Sequence, residues 1–256
     1  MNVLDLTLPP IYPFTNDYMK GKKELLQFFS YNPFSSNVYK ERYEELMNKQ
    51  FHNRLELSTY LYKWNKKNNA SSETLKNIER LKDDRSVVFI CVQQEGLLTG
   101  PFYTISKIIS IIQLAKEQEI SLNAPVIPIF WIAGEDHDFL EINHLFVSDK
   151  EKVKKVSYTD KAAGKKMVSD LSINKEELID WVKDIFSYYK ETNYTKDLLN
   201  IVESAIEHSE SYVDFFAHLV STLFAKEGLV LLNAADPELR NLEKAHFQLI
   251  FENHQK

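Results

Sequence analysis

The chain has 256 residues, of which 44% are hydrophobic and 27% charged, with 6 Gly and 8 Pro, so collagenous, linker-like and low-complexity classes are excluded. Lys plus Arg total 31 against 37 Asp plus Glu, a net charge of −6, which argues against a nucleic-acid partner because such a partner needs a basic face to displace counterions. Met1 to Pro10 lacks the basic start and apolar run of a signal peptide, and the apolar stretch 124–133 is about half the roughly 20 residues of a membrane span; a soluble cytoplasmic protein with no membrane partner is expected.

Residues 1–18 read as an extended, Pro-punctuated lead-in. Helical spacing follows from Lys22 to Met47, broken by a turn at Asn32 to Ser36, and then in two stretches, Arg54 to Asn68 and Thr74 to Lys82. Ser71 and Ser72 are natural caps for the last of these. The pattern then changes. Ser86 to Val92 is a β-branched and aromatic run that predicts a fully buried strand. After a Gly-punctuated loop, Phe102 to Lys116 has helical spacing with Pro101 at its first position, and Val126 to Ile132 is a second buried strand. Strand, helix and strand in this order predict a right-handed parallel βαβ unit.

Residues 150–170 are polar and read as a short hairpin or loop. Asn174 and Glu177 have capping-box spacing and open a helix running to Tyr189. Asp197 to Ala225 holds one or two further helices that stop at Gly228, Leu229 to Leu232 reads as a third buried strand, and a last helix follows. The expected fold class is α/β: a Rossmann-like parallel sheet formed by 84–150 and 226–256, with a helical N-terminal region (1–83) and a mainly helical insertion (151–225).

Two loops leave the carboxyl ends of the predicted strands, where open α/β sheets place their ligands. In the first, Gln93, Gln94, Gly96, Thr99, Gly100 and Tyr103 are candidate binding residues: amides for hydrogen bonding, glycines for close approach, and a helix N-terminus for an anion. Neither GxGxxG nor GxxxxGK[ST] is present, and a tight βα turn is the plain alternative. The second loop, Gly134 to His144, packs Glu135, Asp136, His137, Asp138, Glu141, Asn143 and His144 into 11 positions. Acid/base work, recognition of an ammonium group and a divalent metal site all fit, with a dipole-complementing helix start as the structural alternative. If 138–144 is helical, Glu141 and His144 share a face, yet two ligands do not make a metal site, and none is assigned. Cys91 lies within a strand-like run and reads as structural, and His208 and His218 read as ordinary helix residues.

The motifs Gln93-Gln94-x-Gly96-Leu97-Leu98-Thr99-Gly100-Pro101-x-Tyr103-Thr104-Ile105 and Pro128-x-Phe130-Trp131-Ile132-Ala133-Gly134-Glu135-Asp136-His137-Asp138 resemble the bacillithiol biosynthesis cysteine-adding enzyme family. Glu141-Ile142-Asn143-His144, Gly228 to Leu232 and Asp236-Pro237 extend the resemblance to the end of the chain. It implies a Rossmann-like, nucleotidyltransferase-related ligase that joins cysteine to glucosaminyl-malate in the last step of bacillithiol synthesis, with activation by ATP or another nucleotide. It further implies that the 96–103 turn holds an anionic group. The 135–144 loop would hold the cysteine amino group or the sugar, with His137 transferring protons beside Glu135, Asp136 and Asp138. Family members are about twice as long and dimerise through a C-terminal coiled coil, so this chain resembles their N-terminal half. Val92 stands where the family has glycine, and Ser106 where it usually has histidine; a non-catalytic binding relative is therefore the competing expectation, and a metal-dependent hydrolase a third.

Overall fold

The computed structural model describes residues 12–150, 152–162, 164 and 166–254. They form two units, divided between Gln50 and Phe51. In the first, α1 (Pro13–Met19), α2 (Lys23–Leu26) and α3 (Val38–Met47) bury no residue of their own. The expected extended lead-in lies outside the described residues up to 11; beyond that it is corrected, because Pro13 at the first turn starts a helix, its preset φ being already helical. The turn at Asn32 is present, with the Asn32 side chain accepting from the Phe34 N–H at 3.0 Å.

The second unit is built on a three-stranded parallel sheet of order β1-β2-β5. Strand β1 (Val87–Gln93) pairs with β2 (Val126–Ile132) from Val87 opposite Val126 to Gln93 opposite Ile132. On the far side of β2 lies β5 (Val230–Asn233), from Val230 opposite Ile129 to Asn233 opposite Ile132. The connection from β1 to β2 is α6 (Phe102–Leu122), six residues longer than its spacing predicts and packed on both strands. Two more helices, α4 (Arg54–Lys67) and α5 (Ser72–Arg80), pack against β5, with the Ser71 side chain capping α5 at the Thr74 N–H as expected.

One buried side chain closes the outer edge of β5. Asn65 of α4 donates to the Leu231 carbonyl at 2.8 Å and accepts from the Leu231 N–H at 3.0 Å, which pairs strand groups that would otherwise be orphaned. At the opposite edge, β1 alternates between half-buried and exposed residues. Val88, Ile90 and Val92 are 39%, 49% and 48% exposed, so the expectation of a fully buried first strand is corrected. The alternation gives the reason: successive side chains point to opposite faces, and among the described residues only one face of β1 is packed, whereas β2 is buried on both.

The remaining elements are α7 (Phe139–Ile142), a hairpin of β3 (His144–Asp149) with β4 (Lys152–Ser157), α8 (Lys175–Ser187), α9 (Thr195–Glu207), α10 (Tyr212–Leu223) and α11 (Pro237–His254). Asn174 caps α8 through the Glu177 N–H. Nine consecutive residues of α10, Tyr212 to Val220, are buried, as a helix apolar on all sides must be. Phe216 and Val220 join the sheet core, where Phe216 stacks on Phe130 at 5.5 Å, while Tyr212, Phe215 and Leu219 join a second core under the hairpin and α8. This one helix ties the two cores together.

Candidate functional site

The carboxyl ends of the strands carry both predicted loops, held together by one amide. Gln94 Nε2 donates to Asp136 Oδ2 at 2.6 Å and to Glu141 Oε2 at 3.0 Å. The first loop makes its turn at Leu97–Thr99, with left-handed backbone at Leu98 (φ 51°), Thr99 (φ 73°) and Gly100 (φ 68°). Leu98 and Thr99 carry the strain that side chains incur in this region. A Cβ on Gly96 would lie 2.4 Å from the Gly100 Cα, so the two glycines meet backbone to backbone. Pro101 is the N-cap of α6 rather than its first helical residue, and no side chain caps this helix. The first N–H groups of α6 therefore have no side-chain cap.

Gln93 and Tyr103 meet here too, with Gln93 Nε2 3.4 Å from the Tyr103 hydroxyl. Lys107, absent from the sequence-derived candidates, donates to Gln93 Oε1 at 2.8 Å and to the Val92 carbonyl at 3.3 Å, and lies 5.3 Å from the centre of the Tyr103 ring. One turn beyond the cluster in sequence, it had no motif to mark it.

In the second loop, Asp136 organises the backbone. Its Oδ1 accepts from the Asp138 N–H at 3.0 Å, and that bond first, burial opposing and Gln94 assisting, holds its carboxyl below the usual range. Asp138 caps α7 through the Leu140 N–H. Gly134 sits against Asn233 and Val213: a Cβ there would lie 2.7 Å from Asn233 Oδ1. Glu135 Oε1 is 4.0 Å from Arg240 Nη2 of α11, and His137, 80% exposed, has its Nδ1 3.6 Å from Asp136 Oδ1. His137 is thus free to meet a ligand from solvent.

Two candidates stand apart from this cluster. Asn143 is buried, donating to the Tyr158 carbonyl at 2.7 Å while its own carbonyl accepts from the Tyr158 N–H, so it fastens β4 to the loop. The 138–144 stretch is a single helical turn that ends at Ile142, because His144 is drawn into β3. The shared helical face for Glu141 and His144 is therefore not formed; His144 Nδ1 bonds the Leu140 carbonyl at 3.1 Å and the ring meets Phe146 edge-on. Among the described residues, no three His, Cys, Asp or Glu side chains are placed to hold a metal ion.

Glu95, between Gln94 and Gly96, is the residue that sequence reasoning missed. It is 1% exposed and neither carboxylate oxygen has a hydrogen-bond partner among the described residues. Burial, opposed by its own backbone N–H and assisted by the charges of Glu135 and Asp136, pushes its carboxyl up to about 7. A single carboxylate in a loop, 93–101, whose other residues carry no charge was the available signal. Nearby, Cys91 is half-buried with its thiol pushed up to about 11 by burial, a poor nucleophile.

The whole chain, residues 1–256, matches the family model described as bacillithiol biosynthesis BshC, N-terminal Rossmann-like domain. A Bacillus cereus (strain B4264) protein named "Putative cysteine ligase BshC" is 45% identical over 240 residues, covering 94% of this chain and 44% of the relative. A Bacillus thuringiensis (strain Al Hakam) protein of the same name is 45% identical over 234 residues, covering 91% and 43%. The chain spans less than half the length of these relatives. It belongs to the BshC family and carries that family's N-terminal Rossmann-like domain.

Proposed function

We propose that this chain supplies the ligand edge of a ligase that joins cysteine to glucosaminyl-malate in bacillithiol synthesis, the reading suggested by its family and by the name of its relatives. The observation that carries it is the Gln94 bridge, which draws the two family motifs into one site. Glu135, Asp136, Asp138 and Glu141 make that site acidic and suit it to an ammonium group, of a cysteine or of an amino sugar. The uncapped start of α6, with Lys107 beside it, suits an anion.

Amide formation from a free carboxylate needs activation, which ATP or another nucleotide would supply when bound. The α6 start, Lys107 and the amides of Gln93 and Gln94 fit the phosphate end of such a group; no adenine pocket is assigned. His137, exposed and next to Asp136, would accept the proton that the attacking amine loses as the C–N bond forms and the bond from the acyl carbon to its activating group breaks, that group leaving with the electron pair. Glu135, in range of Arg240, would orient the amine. Dimerisation through the part of the relatives that this chain does not match belongs to the same proposal.

The test is a low-molecular-weight thiol profile of source cells with and without the gene, followed by complementation with His137→Ala and Glu135→Gln. Loss of bacillithiol with accumulation of glucosaminyl-malate, rescued by wild type and not by His137→Ala, is expected. Unchanged bacillithiol on deletion overturns the ligase reading. Full rescue by both variants overturns the site assignment. A second reading, a relative that binds without turnover, draws on Glu95, whose unpaired burial costs stability in the very loop that would face the ligand. It predicts that Val92→Gly raises ligand binding and restores no product.

A further inference from the structure

Away from the sheet edge, a cavity of about 460 Å³ opens between the end of α4, the end of α9 and the middle of α10. Its basic walls are Lys66, Lys67, His208 and His218, with Asn200 and Thr222 among the other polar ones, and no carboxylate is among its lining residues. That is notable in a chain of net charge −6. The imidazoles of His208 and His218 stack at 6.3 Å with an interplanar angle of 18°. His208 Nδ1 is engaged by the Ser204 carbonyl at 2.7 Å and His218 by the Lys67 carbonyl, so each ring keeps its second nitrogen for another partner. Lys66 Nζ rests over the Tyr62 ring at 6.0 Å and has no carboxylate partner among the described residues.

A cation is disfavoured here: two ammonium groups repel it, and two imidazoles without a carboxylate fall short of a metal ligand set. The lysines already offset the carbonyl end of α4, but two side-chain charges at one helix end exceed the half charge of its dipole. We propose that this cavity is a binding site for a tetrahedral oxyanion, the phosphate group of a small ligand, held by Lys66, Lys67 and the ring N–H groups of His208 and His218. Lysines act as point charges for phosphate, and an imidazolium donates from both nitrogens.

A pH dependence follows. His218 is held below its ordinary value by burial first, with His208 at the end of α9 and the Lys67 charge assisting, while Asp214 of α10 and the Lys67 carbonyl act in the opposite direction. Asp214 also lies 3.6 Å from Lys67 Nζ, so one cavity lysine is partly neutralised. An anion in the cavity favours the imidazolium, and binding therefore tightens as pH falls through the histidine range.

The experiment is titration of the chain with sodium sulfate, whose charge is constant from pH 5.5 to 7.5, and with inorganic phosphate, followed by the C2–H NMR resonances of His208 and His218. Saturable shifts of both resonances, with tighter sulfate binding at pH 5.5, are expected. Lys66→Gln should weaken binding about tenfold, as loss of a charge-assisted contact does. His218→Gln should reduce the pH dependence to the part that His208 carries, and Lys66→Gln, at an exposed position, keeps the test independent of folding. Shifts absent with both anions, produced by succinate alone, or unchanged in Lys66→Gln would overturn the proposal.

Discussion

Replacing Glu95 by Gln should stabilise the protein at alkaline pH and leave it little changed at acid pH. The carboxyl is 1% exposed and unpaired, and its folded-state value is raised from 4.5 to about 7. Between those two values the folded state holds a proton that the unfolded chain has released, so stability falls as pH rises through this window and is flat above it. At 1.36 kcal/mol per pH unit, about 2.5 units amount to about 3 kcal/mol. The amide has the same shape and does not ionise, so its own burial cost is the same at every pH. Urea unfolding of both proteins at pH 4.5, 6, 7.5 and 8.5 measures the difference. Glu95→Gln should gain about 3 kcal/mol on wild type between the lowest and highest pH, with the midpoint of the gain near 6. Parallel stability curves would show that Glu95 is paired or solvated in solution and would refute the reasoning.

Gly96→Ala should cost about 2–4 kcal/mol and disrupt the loop, because its Cβ would lie 2.4 Å from the Gly100 Cα, backbone that cannot yield; thermal unfolding checks it. Asn65→Ala should cost about 2–4 kcal/mol by leaving both Leu231 backbone groups unpaired in the core, measured by urea unfolding and by faster amide exchange at Leu231. Cys91 should react with a disulfide reagent about a hundredfold more slowly than a thiol of ordinary value at pH 8, since burial raises it from 9.0 to about 11; a rate equal to free cysteine would contradict its burial. Gln94→Ala should leave the core intact while loosening the second loop, seen as faster amide exchange at Asp138 and Leu140 without a matching loss of global stability.

The parts legible from the amino-acid order alone are those with local causes. Ser71 and Asn174 cap the helices that follow them because a cap needs only an oxygen and an N–H two or three residues on. The βαβ unit was legible because two β-branched runs flank a helical period and chirality leaves one crossover. Both site loops were found for the same reason: they follow strands whose composition admits no place but a sheet. Other features required positions distant in sequence to come together. Nothing in residues 86–92 tells a strand packed on one face from one packed on both, so the exposure of Val88, Ile90 and Val92 is decided by which face the helices cover. Asn143 reads as a ligand group until Tyr158 takes its amide, and His144 as a helix residue until β4 pairs with it. Glu95 is the sharpest case: burial and the approach of Glu135 and Asp136 create its perturbation, and desolvation and Coulomb energy depend on neighbours in space rather than in sequence.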